Sequence, residues 1–156
     1  EANAERRAVE AQHEAVLDKA VENMTVDLPP VMIDNRVEQM INEFSAQLQS
    51  SGMSLEQYMA FSGIDMDKMR EDYREIAKKK VLRDVMLERV AMVEKLVVDP
   101  SELDFELSMM AQLYRTPLKQ VERYLKENGQ LEGVITNILR RKANKFIKMF
   151  FQFLQL

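Results

Sequence analysis

Sorting the chain into apolar and polar positions produces helix after helix. From about Pro30 to Ser50, Ile33, Val37, Met40, Ile41, Phe44 and Leu48 recur at the 3-4-4 spacing of one helical face. Met32 widens that face, while Asp34, Arg36, Glu38, Asn42 and Glu43 fall mostly off it. The preceding stretch, residues 1–23, has only a thin stripe, Val9, Val16, Leu17, Ala20 and Val21 among charges. Such a helix suits a projecting connector better than a core element. The break "VDLPP" separates the two: Leu28 precedes a proline and is biased to extended backbone. Pro30 suits the first helical position, where a missing N–H costs nothing. Gly52 ends the second helix.

The run "SLEQYMAFSG" predicts a short helix. Ser54 and Gln57 stand three apart, the spacing of a capping box, and Gly63 is placed to stop it in the left-handed conformation. Leu55, Tyr58, Met59 and Phe61 make it very apolar for its length. A long helix is expected from about Asp65 to Val97. Its stripe of Met69, Tyr73, Ile76 and Ala77 broadens into Val81, Leu82, Val85, Met86, Val90, Val93, Leu96 and Val97. Apolar residues over so much of the circumference imply packing on more than one side, so the centre of the core is placed here. Asp99, Pro100 and Glu102 open a further helix with Leu103, Leu107, Met110 and Tyr114 as its stripe. Thr116 and Pro117 open another, packing through Leu118, Val121, Tyr124 and Leu125 and stopped by Asn128-Gly129. The last helix runs from about Leu131 into "NKFIKMFFQFLQL". The fold class expected is all-α, with six to seven helices and a helical body from which the early pair projects.

Composition sharpens this mainly by exclusion. Only 4 Gly and 4 Pro occur in 156 residues, too few for the turns of an all-β fold. There is no cysteine and one histidine, His13, which is expected to be exposed. Thiolate sites, Cys nucleophiles and a His-based metal cluster are therefore excluded. A net charge of −4 argues against a general nucleic-acid binder. No apolar run reaches the ~18 residues of a spanning helix, so no membrane partner is expected. The carboxylates are interleaved with Lys and Arg at helical spacing, as on solvated faces, and no pair stands out as acid and base. No phosphate loop or nucleophile motif is present. The "KKK" at Lys78–Lys80 reads as a solvated face, and "RRKANK" at Arg140–Lys145 as a dipole-complementing, solubilising patch. No catalytic residue, cofactor or metal ligand is assigned. The chain starts "EANAERRAVE" rather than with Met, and is expected to be a fragment or processed product.

What remains is apolar surface, unusually rich in methionine: 12 residues. Methionine is flexible and polarizable and adapts to irregular partners. A contiguous apolar face left uncovered marks a binding site. The expected binding face is Met32, Ile33, Val37, Met40, Ile41, Phe44, Met53, Tyr58, Met59 and Phe61, with Phe150, Phe151 and Phe153 as a second set.

Three segments in series, "VDLPPVMIDNRVEQMINEF", "GMSLEQYMAFSGIDMDKMREDYREIAKKKVLRDVMLERVA" and "LYRTPLKQVERYLKENGQLEGVITNILRRKANKFI", resemble the C-terminal domain of bacterial trigger factor over nearly the entire chain. The resemblance implies an ATP-independent, ribosome-associated cytoplasmic chaperone, in which this domain is a helical body with two arms whose inner apolar surfaces hold unfolded or nascent chains. It implies a single domain, with residues 1–23 as connector helix, 30–62 as first arm and 65–156 as body and second arm. The family's G-F-R-x-G-like ribosome-docking loop and its prolyl isomerase domain are not in this sequence. Isomerase activity is therefore not expected, and ribosome contact is expected only through domains lying elsewhere. The aromatic ending also departs from the family, which tends to close on a more acidic stretch. The alternative expectation is a structural helical module that forms a homodimer through the same face and binds no clients.

Overall fold

The structure, a computed structural model, describes the backbone of residues 2–154 and the side chains of residues 9–151 and 153. Residue 1 of the expected first helix and residues 155–156 of the last lie outside the described residues. Seven helices follow in order: α1 (Ala2–Glu22), α2 (Pro30–Ser50), α3 (Leu55–Ser62), α4 (Met66–Val93), α5 (Pro100–Leu113), α6 (Leu118–Glu127) and α7 (Leu131–Leu154). No strand occurs among the described residues, and the fold is all-α.

Local chemistry explains most helix ends. Pro30 sits at the first position of α2, and Pro29 precedes it with extended backbone and no side-chain cap. At α3 the Ser54 hydroxyl accepts from the Gln57 N–H at 3.2 Å, and the Gln57 carboxamide oxygen accepts from the Ser54 N–H at 2.8 Å. Gly63 closes that helix at φ 71, a region where a Cβ is strained. At α5 the Asp99 carboxylate accepts from Ser101 N–H and Glu102 reaches back to the Asp99 N–H, both at 2.9 Å.

Two expected ends move. Helix α4 stops at Val93, four residues short of the expected Val97. Lys95 turns left-handed at φ 52, and the Lys95 and Leu96 N–H groups bond back to the Met92 and Ala91 carbonyls. The chain thus closes the helix on itself, and Val93 and Val97 are exposed rather than packed. Thr116 does not cap α6. Its hydroxyl donates to the Tyr114 carbonyl at 3.0 Å, and Pro117 is the residue that precedes the helix.

The chain divides into two compact units: Glu1–Glu14 with Val85–Leu156, and Ala15–Asp84. In the first, Leu107 of α5, Val121 and Leu125 of α6, and Val134 and Ile138 of α7 form a buried cluster. Three consecutive α7 cations are tied to carboxylates around it. Arg140 bonds Glu88 of α4, Arg141 bonds Glu106 of α5, and Lys142 bonds Glu102 of α5. The patch read as dipole-complementing and solubilising is therefore half interhelical.

In the second unit, Val37 and Ile41 of α2 meet Met69 and Ala77 of α4. Arg70 donates to Glu38 at 2.7 Å and Arg74 to Asp34 at 2.6 Å. The paired numbers run in opposite directions, so α2 and α4 lie antiparallel. These bridges are half-exposed and each adds little, ~0–1 kcal/mol. The antiparallel pairing is held chiefly by the apolar contacts.

Candidate functional site

Most of the expected binding face converges in the second unit. Ile33, Met40, Phe44, Tyr58 and Met59 are partly buried hydrophobics packed around the Val37–Ile41–Met69–Ala77 cluster. The Phe44 and Tyr58 rings meet edge to face, with centroids 5.0 Å apart. That geometry adds ~0.5–1.5 kcal/mol beyond burial and pins α3 against α2. Burial pushes the Tyr73 phenol above its ordinary value, with the Tyr58 phenol adding to the effect. This side of the cluster is thus poorly hydrated.

Exposure divides the expected residues into three groups. Val37 and Ile41 are each 3% exposed and serve as core. The five packed around them present only part of their surface. Met32, Met53 and Phe61 stand open to solvent, and Phe61 is 91% exposed. A fully solvated phenylalanine on an eight-residue helix gains nothing from folding, since its ring stays in water.

The same cluster includes residues absent from the expected face: Leu55, Ile64, Met66, Met69 and Tyr73. Their signal was in the sequence, since Met66, Met69, Tyr73 and Ala77 keep helical spacing. They had been assigned to the long helix as core. A separate groove of about 540 Å³ in the first unit gathers Met110, Tyr114, Gln120 and Tyr124, none of them expected as site residues.

The second expected set lies on α7, in the other unit, and does not join the first. Phe151 meets His13 edge-on, centroids 6.2 Å apart. His13 is 7% exposed, which overturns the expectation of a solvated histidine. Its burial depends on a residue at the opposite end of the chain, which local pattern does not report. Phe146 and Phe150 stack at 6.4 Å. Met149, Phe150 and Phe153 are exposed.

Among the described residues there is no group of three or more His, Cys, Asp or Glu placed to hold a metal ion. Nor is any helix among them long and apolar enough to cross a membrane.

With this geometry established, comparison with known proteins is informative. The sequence model of the family described as bacterial trigger factor protein (TF) C-terminus matches residues 1–149. Trigger factor from Bacillus pumilus is 37% identical over 134 residues, covering 86% of this chain and 31% of that protein. Trigger factor from Halalkalibacterium halodurans is 34% identical over 144 residues, covering 90% of this chain and 33% of that protein. The chain therefore spans about a third of the length of these curated relatives. A solved structure of trigger factor domains from Thermotoga maritima superposes with a TM-score of 0.60 at 21% identity, covering 90% of this chain and 81% of that one. The likeness of that structure concerns the fold.

Proposed function

This chain belongs to the family of bacterial trigger factor C-termini, and on that premise we propose that it is a polypeptide-holding chaperone domain. It takes unfolded or nascent chains on the α2–α3 surface without nucleotide, metal or covalent chemistry. The observation that carries this is the half-covered methionine and aromatic cluster of the second unit, bordered by the open side chains of Phe61, Met32 and Met53. Exposed apolar area of this kind is costly for a protein that has no partner. Methionine lets one surface meet many sequences, because its unbranched chain re-packs at low cost.

Within this reading, residues 1–23 act as connector, 30–62 as the first arm, and 65–156 as body and second arm. Clients leave because each contact is weak and because folding lets them bury their own apolar residues. Cytoplasmic location, and ribosome contact through segments other than this one, follow from the same reading, as does the absence of enzymatic activity.

Burial dictates the test. Met40 and Phe44 support the cluster, so charging them would confuse binding with folding. Phe61→Ser with Met53→Ser removes open surface only. The chain is mixed with a thermally unfolding client and light scattering is followed. Wild type should suppress aggregation, and the double variant should do so several-fold less well at unchanged helicity. Undiminished suppression defeats the assignment of the surface. A tight dimer that fails to bind an environment-sensitive apolar dye favours the dimerisation module instead.

A further inference from the structure

The end of α7 differs from the rest of the chain in charge. Residues 133–156 contain five Lys or Arg and no Asp or Glu, whereas residues 1–132 contain 17 Lys or Arg against 26 Asp or Glu. Arg140, Arg141 and Lys142 are occupied by Glu88, Glu106 and Glu102. Lys145 and Lys148, one and two turns on, have no carboxylate partner among the described residues.

At 100° per residue, Phe146, Met149, Phe150 and Phe153 fall within one arc of about 100°. Three of them are strongly exposed: Met149 64%, Phe150 57% and Phe153 74%. Lys145 and then Lys148 follow on one flank of that arc, with stems long enough to bring their ammonium groups to the level of the rings. The family match ends at residue 149, so the outermost aromatics lie beyond it.

We propose that this stripe, with Lys145 and Lys148, is an interfacial anchor that lies in the surface of an anionic lipid bilayer. An amphipathic helix with aromatic and aliphatic residues on one face and lysines at its edge binds there by two additive effects. Apolar side chains enter the headgroup boundary, and cations meet the lipid phosphates.

Charge and shape select this occupant. A second copy would bring two acid-free, lysine-bearing ends together, which like-charge repulsion opposes. A peptide ligand favours a concave seat that covers it. Here the exposed residues form the outer ridge of a single helix, which a planar lipid surface can receive along its whole length. This departs from the expectation of no membrane partner, which rested on the lack of a spanning run. An interfacial helix needs no such run.

The test is vesicle flotation of the full chain, independent of the client assay. Vesicles of phosphatidylcholine alone are compared with vesicles containing phosphatidylglycerol, at low and high salt. The expected result is flotation with the anionic vesicles only, weakened by salt. Phe150→Ser with Phe153→Ser, and separately Lys145→Glu with Lys148→Glu, should each reduce it about tenfold or more. Circular dichroism confirms that both variants keep their helices, and Phe61→Ser should float like wild type. No flotation with anionic vesicles, or flotation unchanged in both double variants, overturns the proposal. So does loss of binding to an acidic apolar peptide with lipid binding intact, which would give the stripe to polypeptides.

Discussion

The two buried clusters are built from different materials. In the first unit the core is Leu107, Val121, Leu125, Val134 and Ile138, all branched aliphatics, with Met110 as the one methionine packed against it. In the second unit Val37, Ile41 and Ala77 share their cluster with Met69, and Met40, Met59 and Met66 line it beside Phe44, Tyr58 and Tyr73. Branched side chains have few rotamers and fill space in one way. Methionine has three rotatable bonds and fills irregular gaps. One unit is thus suited to holding a fixed shape and the other to accommodating variable contacts, and the charge difference runs the same way. Residues 15–84 hold nine Lys or Arg against 13 Asp or Glu, whereas the remainder balances at 13 of each.

The contrast can be broken most decisively in the rigid cluster. Leu107→Ala should cost about 3 kcal/mol in denaturant unfolding, through lost burial and an unfilled cavity. Met69→Leu, at a site equally buried but surrounded by adaptable neighbours, should cost less than ~1.5 kcal/mol. Equal costs would erase the distinction. Next in size is the α3 cap: Ser54→Ala removes the acceptor for the Gln57 N–H and should cost about 1 kcal/mol, while Ser54→Asp should recover most of it.

The smallest expected effect is a pH dependence weighted toward the first unit. The Ser101 hydroxyl and N–H hold the Asp99 carboxyl below its ordinary range. The Lys142 ammonium and the Asp99 N–H do the same for Glu102, and Lys126 does so for Glu122. In the second unit only Glu56 is lowered in this way, chiefly by the Ser54 side chain. A depressed folded pKa adds stability that is complete above the unfolded value and lost as pH falls through the folded one. Acid titration below the ordinary carboxylate range should therefore loosen α5–α7 before α2–α3, as read by residue-resolved hydrogen exchange. Asp99→Asn with Glu102→Gln should flatten that difference, and simultaneous loosening in the parent chain would contradict it.

Features that depend on neighbours within one turn were legible from the residues. The start of α2 at Pro30 and the capping boxes of α3 and α5 stand where the spacing put them. The α2 face was legible too, as a set of positions sharing one side. Coverage was not. Periodicity assigned Val37 and Phe61 alike to apolar surface, yet one is core and the other is open, because coverage depends on what a distant segment supplies. His13 illustrates the same limit, since Phe151 closes over it from the far end of the chain. The stop after Val93 was hidden for another reason: Lys95 adopts the left-handed conformation without the glycine that normally announces it. The partners of Arg140, Arg141 and Lys142 were equally out of reach of local pattern, being 35 to 52 positions away.

Those three ion pairs act on α7 like the teeth of a key. Successive residues point 100° apart, so the anchors on Glu88, Glu106 and Glu102 span more than half the helix circumference. Any screw motion that saved one of them would sacrifice its neighbours. The azimuth of everything downstream is thereby set, and Phe146, Met149, Phe150 and Phe153 face outward because charges upstream of them are already engaged. Reversing a single one of those charges should turn the aromatic ridge toward a different bearing without altering any of its residues.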